Sequence, residues 1–430
     1  MNGRKSSRLA VVRRRLRIGA SFLIVLLCLH IGVARAADLT QWFDLTRWRD
    51  PQDWPFIPLP EIATDPNGDT TVGLLPVWLF TDDKKQIRQI FAPDLTYNPT
   101  LGVGGTLRYF SYPSDDTQWY FVASGAETIE RDIDLVYSTG RTRQGRWSFD
   151  GRLRYERDPT ERFFGLGNNS HNGDETNYTT EQFFAEARLG LNITPQVQIA
   201  LELRPRYINI QEGAFSSLPF TGSEFPTLKG LHSNHELFSR LVVSYDTRDS
   251  VSIPRRGSWL TLFGGLADRS LLSSVSYNLF GIEGRHYYPL GQRFTLAGHL
   301  ALRYMAVGSD APFWALSKLG GDRSDIGGRQ PLRGFGDSRF VDNNSFNANL
   351  ELRTRVFSRD IFGTQVTLEL APFIEVGRVF HSLPTNPVSD LHPAGGLGFR
   401  GIAEPFVVGY VDVGYGGEGV VVFSGIDYPF

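Results

Sequence analysis

Segment after segment of this chain alternates apolar and polar side chains with a period of two, and no other feature restricts its fold as much. Phe346, Ala348, Leu350, Leu352, Thr354 and Val356 alternate with Asn347, Asn349, Glu351, Arg353 and Arg355. Val366, Leu368, Leu370, Pro372, Ile374 and Val376 do the same against Thr367, Glu369, Phe373, Glu375 and Gly377. Trp147 to Glu156, Gln182 to Leu191 and Val197 to Tyr207 repeat the pattern. Successive side chains of a strand point to opposite faces, so each segment is a ribbon with one apolar and one charged side. The ribbons run about 10 to 16 residues, against ~5–6 in globular sheets. Their charged side stacks Arg and Glu of both signs, as a polar lumen does. A soluble sandwich would turn its apolar sides inward and cover them. Strand length, mixed charge and aromatic ends (Tyr109, Phe110, Tyr112; Tyr287, Tyr288; Tyr428, Phe430) favour a membrane barrel instead.

Hydropathy agrees once the first residues are set aside. Arg4 to Arg17 form a positive stretch, Phe22 to Leu29 an apolar core and Ala34-Arg35-Ala36 a small-x-small site, which together read as a signal peptide over residues 1–36. No later run reaches the ~20 apolar residues of a spanning helix, so a membrane form of this chain must be a closed barrel, which satisfies its own backbone hydrogen bonds. Cys28, the only cysteine, lies in the apolar core of the signal, so disulfides, thiol catalysis and cysteine metal sites are excluded from the mature chain. Removing 1–36 takes away eight basic groups and no acidic ones, turning the formal charge of −2 into −10. An acidic chain is a poor match for nucleic acid.

The expected fold is all-β: a sixteen-stranded antiparallel transmembrane β-barrel over residues 88–430. Its strands are placed at 88–98, 101–111, 116–126, 129–140, 144–157, 177–191, 195–211, 234–247, 256–268, 272–288, 292–308, 342–357, 362–377, 392–402, 405–414 and 418–429. The joints after the fifth, seventh, eleventh and thirteenth strands are long and polar, whereas those after the sixth, tenth, twelfth and fourteenth are short. Long outer loops and short periplasmic turns are the asymmetry expected of an outer-membrane barrel, and an even strand number returns the C-terminus to the periplasm. Residues 37–87 read as a periplasmic lead-in. Within them, 56–81 flank the turn signal Pro66-Asn67-Gly68-Asp69 and could add a hairpin, raising the count to eighteen.

Between the eleventh and twelfth strands lies a glycine-rich stretch, Gly320 to Phe340, with Pro331-Leu332-Arg333-Gly334-Phe335 at its centre. That pentapeptide resembles the loop-6 motif of the BamA/TamA-type barrels, the bacterial surface antigen family, and stands where that family carries it. Tyr245-Asp246-Thr247-Arg248-Asp249 with Pro254 and Gly257 is similar to the family's segment after strand 8. Phe163 to Asn168 and Pro93 to Gly105 are similar to its members without POTRA modules, for which the ~50 residues before the first strand leave no room. Phe373-Ile374-Glu375-Val376-Gly377 resembles the strand 13 pattern, although the family usually has aspartate where this chain has Glu375. The resemblance implies an inward-folded loop 6 with Arg333 on Glu375, lined by Phe373 and Gly377. An arginine's planar fork suits a carboxylate, and in a lumen of reduced dielectric such a pair would pin the loop. A closing strand with Ile426, Tyr428 and Phe430 on one face resembles the terminal signal of outer-membrane barrels in general.

Catalytic patterns are weaker. His232 and His235 at i, i+3 have no third ligand placed by spacing. Gly336-Asp337-Ser338 lacks the strand-to-helix elbow of an esterase serine, and Asp65 to Asp69 lacks the length of a calcium loop. No metal, cofactor or enzyme activity is therefore expected. The resemblance implies an outer-membrane barrel taking part in membrane protein assembly, insertion or translocation. Its partners would be outer-membrane lipid, unfolded barrel clients and a periplasmic protein. The rival readings are a passive or gated pore, with the loop as plug, and a lipid-modifying barrel enzyme.

Overall fold

The computed structural model describes residues 56–63, 70–83, 86–306, 309–326, 328–361, 364–383, 389–404 and 407–430. The expected signal peptide, the lead-in up to Pro55 and the acidic turn Asp65 to Asp69 lie outside them. From Ile87 to Ile426 the chain is an antiparallel meander. Its first strand comes in two pieces, Ile87–Phe91 and Asp94–Asn98. Gly102–Ser111, Thr117–Ala126, Arg131–Thr139, Trp147–Phe163 and Thr176–Asn192 follow, then Val197–Glu212, Asn234–Asp246, Gly257–Ala267, Tyr277–Pro289 and Phe294–Tyr304. Asn344–Ile361, Thr364–Phe380, His392–Ala403, Val407–Tyr415 and Val420–Ile426 complete sixteen strands of this meander. The first strand breaks at Pro93, which has no N–H to give to the ladder; the Ala92 amide still donates to the Arg108 carbonyl. Residues 57–81, where lead-in and hairpin were both open, form strands Ile57–Ala63 and Thr71–Thr81. These pair with each other, and the second pairs with the broken strand, so among the described residues the hairpin joins the same sheet and brings its strands from sixteen to eighteen.

Alternation decides which side meets lipid. On Asn344–Ile361 and Thr364–Phe380, Leu350 and Ile374 are 41% and 65% exposed, while Glu351, Arg353 and Glu375 are at most 2% exposed. The apolar face therefore covers the outer wall and the charged face lines the lumen, the arrangement that bilayer and water each demand. The first strand of the sheet, Ile57–Ala63, lies beside the last, Val420–Ile426. Ile87, Ile90 and Tyr112 share a buried cluster with Ala403.

Several strands outrun their expected bounds. Trp147–Phe163 was expected to stop at Arg157, before Asp158-Pro159; a bulge between Asp158 and Glu161 absorbs the proline instead. The Asp158 carboxylate accepts from the Thr160 amide and hydroxyl at 2.8 and 2.7 Å. Conversely, Tyr277–Pro289 begins five residues later than the 272 of the sequence reading, because Asp268, Arg269, Ser274 and Ser276 hydrogen-bond within the preceding loop. At the long-loop end, Phe163, Tyr178, Phe238, Tyr277, Phe313 and Trp314 form an apolar core in which loops and wall meet.

Candidate functional site

The 39 residues between Tyr304 and Asn344, loop 6, fold into the lumen and build a small sheet of their own. Ser317–Leu319 pairs in parallel with Arg329–Gln330 and antiparallel with Phe340–Asp342. One apolar side of this sheet is nailed to the wall, where Leu319, Leu332, Phe335 and Phe340 pack on Val379 and Ala394.

Arg333 sits at the tip, with none of its side chain exposed. Its Nε donates to Glu375 Oε1 at 2.7 Å and its backbone amide to Glu375 Oε2 at 2.5 Å. Nη1 bridges Glu351 Oε1 at 2.6 Å and Asp412 Oδ2 at 2.8 Å. The guanidinium lies 3.7 Å from the centre of the Phe373 ring, a cation–π contact on its remaining face. Burial opposes the charge, but Glu375, Glu351 and Asp412 together raise the arginine pKa well above its ordinary value. Arg400 pairs with Asp412 and lies 3.3 Å from Glu351; Arg353 Nε donates to Glu351 at 2.8 Å. Three arginines thus face three carboxylates from three strands of the wall, and the buried network is electrically balanced.

Its neighbours in the pentapeptide each fix the backbone. The Pro331 carbonyl accepts from Asn347 and Asn349 side-chain amides at 2.6 and 3.1 Å. At Gly334 any Cβ would come within 2.5 Å of the Gly416 amide and Tyr415 carbonyl carbon, so only glycine allows this approach of loop to wall. Gly414 answers it from the wall, since a Cβ there would meet the Arg333 carbonyl oxygen. Gly377 leaves room for the Leu319 side chain. Phe335 packs edge-on against Phe340 and His392.

A second arginine in the loop was missed in the sequence. Arg339, 2% exposed, holds Glu418 with paired bonds of 2.8 and 2.7 Å and Ser170 Oγ at 3.0 Å. Its environment of acceptors comes from two distant loops, and no local spacing announces it. Asp412 and Arg400 were also missed, although both fall on the inward phase of their strands.

The C-terminal residues depart from expectation. Val420–Ile426 ends at Ile426, Asp427 takes φ 79°, and Tyr428 and Phe430 leave the strand for the lumen instead of continuing one of its faces. Tyr428 donates to Glu369 at 3.1 Å. Phe430 is 2% exposed and stacks on His299, and its carbonyl accepts from Tyr287 at 3.3 Å. Loop 6 holds the same tail: Ser324 N donates to the Pro429 carbonyl at 3.1 Å and Arg323 to the Ile426 carbonyl at 2.7 Å. Among the described residues no group of three metal-ligating side chains occurs; His232 lies in the loop before Asn234–Asp246 and His235 at the start of that strand.

The family model of the Omp85 superfamily domain matches residues 118–399, about two thirds of the chain. The chain belongs to the Omp85 superfamily. No curated protein matches it. Among solved structures it is similar to BamA from Haemophilus ducreyi lacking POTRA domains 1–3, with 14% identity, a TM-score of 0.50, and coverage of 82% of this chain and 74% of that one. It is also similar to CdiB from Escherichia coli, with 12% identity, a TM-score of 0.46, and coverage of 88% of this chain and 63% of that one. At these identities the likeness extends to the fold alone. Membership of the Omp85 superfamily places the barrel in the bacterial outer membrane.

Proposed function

We propose that this Omp85 barrel takes part in the assembly, insertion or translocation of proteins at the outer membrane, with loop 6 as the internal brace that fixes the wall around the end of the sheet. The observation that carries the reading is the Arg333 network. One loop residue ties Asn344–Ile361, Thr364–Phe380 and Val407–Tyr415 together, and the same loop grips the tail of the last strand. Buried ion pairs contribute little net stability compared with apolar packing, whereas losing one partner is expensive. Such a network is therefore suited to holding one position of the loop rather than to strengthening the fold. Reconstitution in liposomes with an unfolded barrel client tests the reading: faster client folding supports it, and no acceleration across several clients overturns it.

A gated pore is the second reading, favoured by the apolar core that roofs the long-loop end. In planar bilayers Arg333→Ala should raise single-channel conductance if the loop closes the lumen; an unchanged conductance in a folded variant removes that role. No reaction is proposed. Gly336-Asp337-Ser338 offers no exposed nucleophile, since Ser338 is buried at φ 57° and Asp337 pairs with Arg329.

A further inference from the structure

The short-turn rim is unevenly charged. Turns 140–146, 247–256 and 290–293 follow one another around the barrel, separated only by the uncharged turn Ile193 to Gln196, and together they carry seven arginines. The acids that face them are few. Asp246 is taken by Arg248 at 2.7 Å, Asp249 accepts from the Arg255 and Arg256 amides, Asp116 accepts from Gly140 and Thr142, Asp150 lies on the adjoining strand, and Asp427 faces Arg141 and Arg323. Arg146, Arg256 and Arg293 are exposed, and among the described residues no carboxylate lies within ion-pair distance of any of them.

Their level relative to the bilayer is marked by aromatic side chains. Trp147, Tyr245, Tyr288 and Phe294 are all exposed on the outer face, at the ends of strands that enter these same turns. The Arg146 guanidinium lies 6.0 Å from the Trp147 ring, which puts this cation on the lipid side of the rim. Amphipathic aromatic rings settle at headgroup depth, so the arginines beside them stand where lipid phosphates are.

We propose that this arc, centred on Arg146, Arg256 and Arg293, binds anionic phosphate headgroups of the periplasmic leaflet and gathers such lipids on one side of the barrel. A guanidinium pairs with a phosphate through two parallel N–H donors, and the three exposed arginines have theirs uncommitted to any protein carboxylate. An acidic protein could exploit the same charge, but it would approach from below the turns. The contact of Arg146 with the outward Trp147 favours lipid.

The full chain is purified in neutral detergent, incubated with phosphatidylglycerol or phosphatidylcholine and analysed by native mass spectrometry for retained lipid. Wild type should retain phosphatidylglycerol in preference, and Arg146→Gln/Arg256→Gln/Arg293→Gln should lose that preference by roughly tenfold or more, as expected for three cations near an anionic surface. Faster gel migration of unheated samples shows that the triple variant is folded; Arg146→Gln alone, with a smaller loss, serves if it is not. Equal retention of the two lipids by wild type, or unchanged preference in folded variants, overturns the proposal and leaves the arc to an acidic protein.

Discussion

Replacing Arg333 by methionine keeps the length and apolar stem of the side chain and removes its charge. Three carboxylates, Glu375, Glu351 and Asp412, would then face only Arg353 and Arg400, leaving one uncompensated negative charge in a site with no exposed side chain. Breaking a buried pair in this way costs about 3–5 kcal/mol. The wall strands are held by their own ladders, so the cost falls on docking of the loop, shifting its docked-to-undocked ratio by roughly a hundredfold to several thousandfold. Limited trypsin digestion reads this directly, because Arg323, Arg329 and Arg339 lie in the loop. Cleavage within 317–342 should accelerate strongly in Arg333→Met, while heat-modifiable migration of the barrel stays the same. Adding Glu375→Gln should recover part of the protection, since it removes the excess charge. If Arg333→Met is as resistant as wild type, the network does not position the loop and the brace reading fails.

Gly334→Val should undock the loop as severely, because its Cβ would overlap the Gly416 amide and Tyr415 carbonyl carbon, backbone atoms that cannot step aside; trypsin resistance equal to wild type would refute the contact. Glu375→Asp shortens the acceptor by one methylene and should loosen the bonds to Arg333 Nε and N, giving cleavage rates between wild type and Glu375→Gln. The tail should respond to pH. Burial raises the Asp427 carboxyl above its ordinary 3.8, offset in part by Arg323 and Arg141. The docked tail thus binds more protons than the free one across that window, and its stability is lost as pH rises from 3.8 through the raised value. Hydrogen-exchange protection at Tyr428 and Phe430, taken relative to the intrinsic rate at each pH, should fall over this range in wild type and stay constant in Asp427→Asn.

Much of the fold was legible because alternation is a local property. The inward phase of Glu351, Arg353 and Glu375 follows from period two alone, and the strand bounds fail chiefly where a bulge restores the phase, as after Asp158. Arg333 stood out through its glycine and aromatic neighbours, and the contact with Glu375 was expected from family likeness. The rest of its shell was not legible. Asp412 lies 79 residues further on, and nothing near it indicates which inward charge a long loop will meet. Arg339 and Glu418 pose the same difficulty. The tail was misplaced because Tyr428 and Phe430 continue the alternation perfectly well on paper. Only the left-handed turn at Asp427, together with acceptors and donors on loop 6, sends them inward.

Which face of each ribbon meets hydrocarbon underlies everything above. Single cysteines at Leu350, Leu352, Ile374, Glu351, Arg353 and Glu375, in a chain with Cys28 replaced by serine, can be exposed in vesicles to a thiol reagent soluble only in lipid. Modification at 350, 352 and 374 with silence at 351, 353 and 375 is the predicted result; the reverse pattern would contradict the barrel and the lumenal site together.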